Sequence, residues 1–132
     1  MIGLDTNILV RLLVADDPEQ TERARKLVAE QCTRESPGFI NSIVLAEFVW
    51  VLSRAYGLSR SQIASAVEAL LAGDDRMVEH HEAVRAGLDD YKSGRADFAD
   101  AVIARINRAQ GCEATATFDE KAAKLSGFVA VR

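Results

Sequence analysis

The chain begins Met1-Ile2-Gly3-Leu4-Asp5-Thr6-Asn7, an apolar run that stops at a carboxylate before a new apolar stretch, Ile8-Leu9-Val10. It reads as a buried strand that delivers Asp5 at its tip. In an open α/β sheet, ligands bind in the crevice beyond the carboxyl ends of the strands, which makes Asp5 a candidate site residue. The competing reading is that Asp5 or Asn7 caps the following helix, because Asp and Asn are preferred at that position.

The same pattern recurs near the other end. Ala114-Thr115-Ala116-Thr117-Phe118 reads as a strand and also ends in a carboxylate, Asp119. Between the two, helices and strands alternate. A helix is expected over 7–14, and a second starts at Asp17-Pro18, with the acid as cap and the proline at the first helical position, ending near Arg34. Ala24, Leu27, Val28 and Gln31 share its inner face. Phe39-Ile40 suits a short strand, and Asn41 or Ser42 suits the cap of a third helix that Gly57 closes. Ser59 with Gln62 has capping-box spacing, followed by Ile63, Val67, Leu70 and Leu71 on one face. An edge strand over 76–79, a helix from His80-His81 to Tyr91 and a last long helix starting at 96–100 come next. The last helix carries the stripe Phe98, Ala101, Val102, Ile106 and Ala109. A short helix over 122–125 and a strand over 128–131 finish the chain. This alternation predicts one domain over 1–132, an α/β/α sandwich with a mainly parallel central sheet. If the strands ending at Asp5 and Asp119 are parallel neighbours, both acids emerge at the same edge.

Two further acids stand out. From Ile43 to Leu52 every residue except Glu47 is apolar, so this helix is expected to be buried nearly all round, with Glu47 inside. An isolated carboxylate in a dry site costs several kcal/mol or takes up a proton, so Glu47 needs a partner: a salt bridge to Arg11 or Arg54, or a cation. Asp97 and Asp100 lie three apart in the first turn of the last long helix, where exposed N–H groups favour negative charge. Asp97 is explained as the N-cap; Asp100, beside Ala101 and Val102, is not.

Bulk properties narrow the function. At 132 residues the chain can bury a core without staples. Cys32 and Cys112 have no metal-ligand spacing and suit reduced thiols. Ile8–Val14 is too short for a signal sequence and is broken by Arg11, so a cytoplasmic protein without a membrane segment is expected. The net charge of −4 argues against simple nucleic-acid binding through a basic face, unless the acids gather around cations and reverse the local field. Twelve of the sixteen basic residues are Arg, the better fork for phosphate.

Convergence of Asp5, Glu47, Asp100 and Asp119 would carry its own requirement. Two carboxylates about 4 Å apart repel by roughly 4 kcal/mol at an effective dielectric near 20. Such a cluster persists as anions only around cations, and ligation by oxygen alone points to Mg²⁺ or Mn²⁺. The chemistry open to it is phosphoryl transfer.

In this order, Asp5-Thr6-Asn7, Glu47 in an apolar helix, Asp97-Phe98-Ala99-Asp100-Ala101-Val102-Ile103-Ala104 and Thr117-Phe118-Asp119 resemble the PIN-domain ribonucleases, in particular the VapC toxins of type II toxin-antitoxin systems. The resemblance covers essentially the whole chain. It implies that Asp5, Glu47, Asp100 and Asp119 form the catalytic metal site, with Asp5 and Asp100 foremost and the hydroxyls of Thr6 and Thr117 supporting them. Asp97 is an acid that it does not require. The implied activity is endonucleolytic RNA cleavage with Mg²⁺ or Mn²⁺, leaving a 5′-phosphate and a 3′-hydroxyl. The implied partners are an RNA substrate such as transfer or ribosomal RNA, a second copy in a homodimer, and a cognate antitoxin that reaches into the acidic pocket with a basic side chain. Arg11, Arg54, Arg95, Arg105 and Arg108 are candidates for gripping the RNA backbone or are plain surface charges. Two rivals stand beside this reading. A receiver-type phosphoacceptor domain needs paired acids after its first strand, and only one acid is present there. A non-catalytic, metal-stabilised α/β module that binds a protein partner is the other.

Overall fold

Five short strands and six helices make up the chain, and every strand pairing is parallel. The computed structural model describes residues 1–132, which divide into two compact units, Met1–Glu79 and His80–Arg132. The expected α/β class with parallel strands is therefore the one observed.

The first unit runs β1 (Ile2–Gly3), α1 (Thr6–Leu13), α2 (Pro18–Gln31), β2 (Gly38–Ile40), α3 (Ser42–Arg54), α4 (Arg60–Ala72) and β3 (Arg76–Val78). Its sheet has the order β1-β2-β3, with Ile2 opposite Gly38 and Gly38 opposite Arg76, so β3 is an edge as expected. Helical crossovers are what parallel neighbours require. α1 packs against both α2 and α3. Among the fully buried side chains are Ile40, Leu45, Phe48, Leu52, Ile63 and Val67, each worth about 1.5–3 kcal/mol of burial.

Local chemistry sets the helix starts. The Asp17 carboxylate accepts from the Gln20 amide at 3.1 Å with Pro18 in the first turn, and Asn41 accepts from the Val44 amide at 2.8 Å. Ser59 and Gln62 form the reciprocal capping box, at 2.9 and 3.1 Å. α2 ends at Gln31 rather than near Arg34, and its buried positions are Thr21 and Ala24, while Gln31 is exposed.

The second unit contains α5 (His81–Lys92), α6 (Phe98–Ala109), β4 (Thr115–Thr117), a 3-10 turn at Ala122–Lys124 and β5 (Phe128–Ala130). α5 and α6 pack along their lengths, and Gly87 permits this. A Cβ there would lie 2.9 Å from Val102 Cγ2 and 3.1 Å from the Val102 backbone. Tyr91 meets Phe98 edge to face, with ring centroids 5.8 Å apart. Of the expected α6 stripe, Phe98, Ala101 and Val102 are buried, Ile106 is half-buried and Ala109 is exposed. β4 pairs with β5. The strands before Asp5 and Asp119 are therefore not hydrogen-bonded neighbours: β1 pairs with β2, β4 pairs with β5, and each finds its partner within its own unit. No helix is long and apolar enough to cross a membrane.

Candidate active site

In the first unit β1 delivers Asp5 directly to the start of α1. Asp5 itself is the N-cap, with extended backbone (φ −81°, ψ 163°), and its Oδ1 accepts from the Thr6 amide at 2.7 Å. The cap is therefore Asp5 and not Asn7, which lies inside the helix. Capping engages one oxygen and leaves Oδ2 without a hydrogen bond. Asp5 lines a cleft of about 270 Å³ with Thr6, Asn7, Arg11, Glu47 and Tyr56. The Thr6 side chain is buried, and its Oγ1 has no hydrogen-bond partner. A buried hydroxyl of that kind is uncommon in a folded protein and calls for a missing ligand or water.

Glu47 departs from expectation. It is exposed, because α3 is not covered on all sides. Leu45, Phe48, Val49 and Leu52 form its buried face, whereas Ile43 and Trp50 are 81% and 60% exposed. These two residues and Glu47 are spaced i, i+4, i+7, and so share one side of the helix. Neither proposed salt bridge forms. Arg54 lies over the Trp50 ring, 6.0 Å from its centroid. Arg11 instead donates to Gln20 Oε1 at 2.7 Å, to Asp16 Oδ1 at 3.0 Å and to the Tyr56 hydroxyl at 3.2 Å. The Glu47 carboxylate needs no internal counter-ion because water reaches it.

The second unit treats its acids differently. Asp100 sits in the first turn of α6, half-buried, with no hydrogen bond or ion pair. Burial pushes its pKa up, and the nearby charges of Asp97 and Asp119 push it further, against a smaller opposing pull from Lys121. Asp97 occupies the N-cap position, but its side chain makes no capping bond and lies 3.8 Å from Lys121 Nζ. Asp119 Oδ1 accepts from the Lys121 and Ala122 amides at 2.8 and 3.2 Å. Thr117 Oγ1 accepts from the Asp119 amide at 3.0 Å, so this hydroxyl holds the backbone that carries Asp119. Within neither unit do three His, Cys, Asp or Glu side chains gather closely enough to hold a metal ion by themselves.

In the first unit Asp5 Oδ2 and the Glu47 carboxylate have no protein partner and the Thr6 hydroxyl is orphaned; in the second the Asp100 carboxylate has none. Oxygen donors of this kind are the ones a hard divalent cation takes. The residues missed from sequence are Asp16, Gln20 and Tyr56, which together fix Arg11. Tyr56 lies 45 positions from Arg11, so no local spacing could have revealed the contact.

These features define a class: an α/β protein with parallel strands that carries uncompensated carboxylates after its strands and on its helices. The chain matches the PIN domain over residues 2–127 and belongs to that family, with a PIN-like α/β/α fold. PIN domains are generally nucleases that use divalent metals and bind RNA. No curated protein is similar enough to the chain to count as a match.

Proposed function

We propose that this chain is a Mg²⁺- or Mn²⁺-dependent endoribonuclease of the VapC toxin type, acting in the cytoplasm as a homodimer and silenced by a cognate antitoxin. Residues 1–132 act as one PIN domain in which Asp5, Glu47, Asp100 and Asp119 all serve the same reaction. The observation that carries this reading is Asp100, a half-buried carboxylate with no partner and with like charges near it. A protein keeps such a costly group where a cation stabilises its charged form.

In this reading Asp5, Glu47, Asp100 and Asp119 hold the cation through oxygen. When bound, it supplies Lewis-acid polarisation of the phosphodiester and a more acidic water. The oxygen of water bonds to phosphorus, the bond from phosphorus to the 3′ oxygen breaks, and a proton passes to that oxygen, leaving a 5′-phosphate and a 3′-hydroxyl. Thr6 supports Asp5 through its backbone amide, which donates to Asp5 Oδ1 at 2.7 Å, and Thr117 supports Asp119 by accepting the hydrogen bond of the Asp119 amide at 3.0 Å. A basic antitoxin side chain suits the same uncompensated acids.

Purified protein should cut structured RNA in Mg²⁺ or Mn²⁺, with EDTA or Asp100→Asn stopping cleavage. An identical cleavage pattern from wild type and Asp100→Asn would assign the activity to a contaminant. The exposed Ile43 and Trp50 favour a second reading, a non-catalytic module that binds a protein partner. It requires the pure protein to leave RNA intact in either metal.

A further inference from the structure

We propose that the cleft between α1 and α2 is a phosphate subsite that holds the RNA strand beside the acids of the first unit. The proposal rests on the nuclease reading and names a part of the substrate site. The cleft has a volume of about 350 Å³, and Asn7 and Arg11 of α1 face Gln20 and Arg23 of α2 across it. No acidic side chain lines it. Asn7 and Arg11, one helical turn apart, also line the cleft of Asp5 and Glu47, so an acidic compartment and a basic one share a wall.

Arg11 is preorganised for this role. Its Nε donates to Gln20 and its Nη1 to Asp16 and Tyr56, while the Tyr56 hydroxyl donates to Asp16 Oδ2 at 2.9 Å. Three acceptors thus hold Nε and Nη1, and Nη2 between them keeps its N–H groups without a partner. A guanidinium held in place through two of its nitrogens presents the third, Nη2, to a phosphate oxygen. Arg23, exposed on α2, makes no hydrogen bond or ion pair. Arg11 shares one ion pair with Asp16 at 3.0 Å, whereas Arg105 is engaged by both Asp90 oxygens at 2.8 and 2.9 Å and Arg54 lies over Trp50. Carboxylates at the cleavage point repel the strand, so its neighbouring phosphates need cations within reach, and Arg11 with Arg23 supplies them.

The test is binding of a fluorescent single-stranded RNA by Asp100→Asn protein, measured across salt concentrations. Arg11→Gln and Arg23→Gln should each flatten the slope of log affinity against log salt by about 0.7, the value for one phosphate contact on a single strand. Arg34→Gln, outside the cleft, should leave the slope unchanged. In the cleaving protein, Arg23→Gln should raise KM more than it lowers kcat. Because Arg23 makes no bond in the fold, its variant remains informative if Arg11→Gln unfolds. An unchanged slope for Arg23→Gln, or an equal change for Arg34→Gln, overturns the subsite. If RNA is still cut in an Asp100-dependent way, the nuclease reading survives that result. If no form binds RNA, both fall together.

Discussion

The two units hold their acids under opposite conditions. In Met1–Glu79, Asp5 and Glu47 are exposed and line a cleft whose wall includes the guanidinium of Arg11. In His80–Arg132, Asp100 is half-buried, and Asp97 and Asp119 disfavour its charge. The first pair is solvated. Asp100 is an anion at its surroundings' expense, so a bound cation relieves more there. Carboxylates assigned to one reaction thus need not share one environment, and the comparison can be tested residue by residue.

The largest contrast should come from Asp5, which is both cap and candidate ligand. Asp5→Asn should lower RNA cleavage at least about a hundredfold, the usual scale for removing one electrostatic contributor, yet shift stability by only a few tenths of a kcal/mol because Asn caps as well as Asp. Asp5→Ala should lose cleavage and also about 1 kcal/mol in urea unfolding. Wild-type cleavage by Asp5→Asn would reduce Asp5 to a cap.

A smaller effect separates the units by metal. At a divalent-cation concentration about a hundredfold above Kd, wild type should gain roughly 2.7 kcal/mol, seen as a rise in Tm. Asp100→Asn should lose most of that gain. Equal stabilisation of both proteins would place the cation away from Asp100.

The smallest effect is in pH. Native Asp100 holds its proton more tightly than the unfolded chain does, so the stability it removes grows as pH rises from the unfolded carboxyl range, about 3.9, through the raised native pKa. Above that pKa the loss is complete. Without divalent cation, Asp100→Asn should therefore exceed wild type in urea midpoint at neutral pH, with the gap closing in acid. A gap of constant size would trace the effect to packing instead.

Much of the fold was legible because its signals are local. Asp17-Pro18, Asn41 and the Ser59–Gln62 box each act within three residues, and sequence displays such spacing directly. Glu47 was misread for the opposite reason. An apolar run does not say which side a neighbour will cover, and α3 leaves Ile43 and Trp50 uncovered. At Asp5 the strand-tip and capping readings compete in the sequence, yet both hold, because one carboxylate oxygen caps α1 and leaves the other open. Strand pairing is non-local, and two strands that end alike need not be adjacent: β1 took β2, and β4 took β5. Asp5, Asp100 and Asp119 were visible as acids at element boundaries, and Glu47 as the one charge in an apolar run. The clamp on Arg11 was not, since Asp16, Gln20 and Tyr56 meet only in the folded chain.

Trp50 gives the protein a built-in optical gauge. It is the chain's single tryptophan, more than half solvated, and it follows Glu47 by three residues on α3 with the Arg54 guanidinium over its ring. Its emission is free of signal from any other indole. The colour and intensity of that light therefore describe one turn of one helix, the turn that carries a candidate ligand.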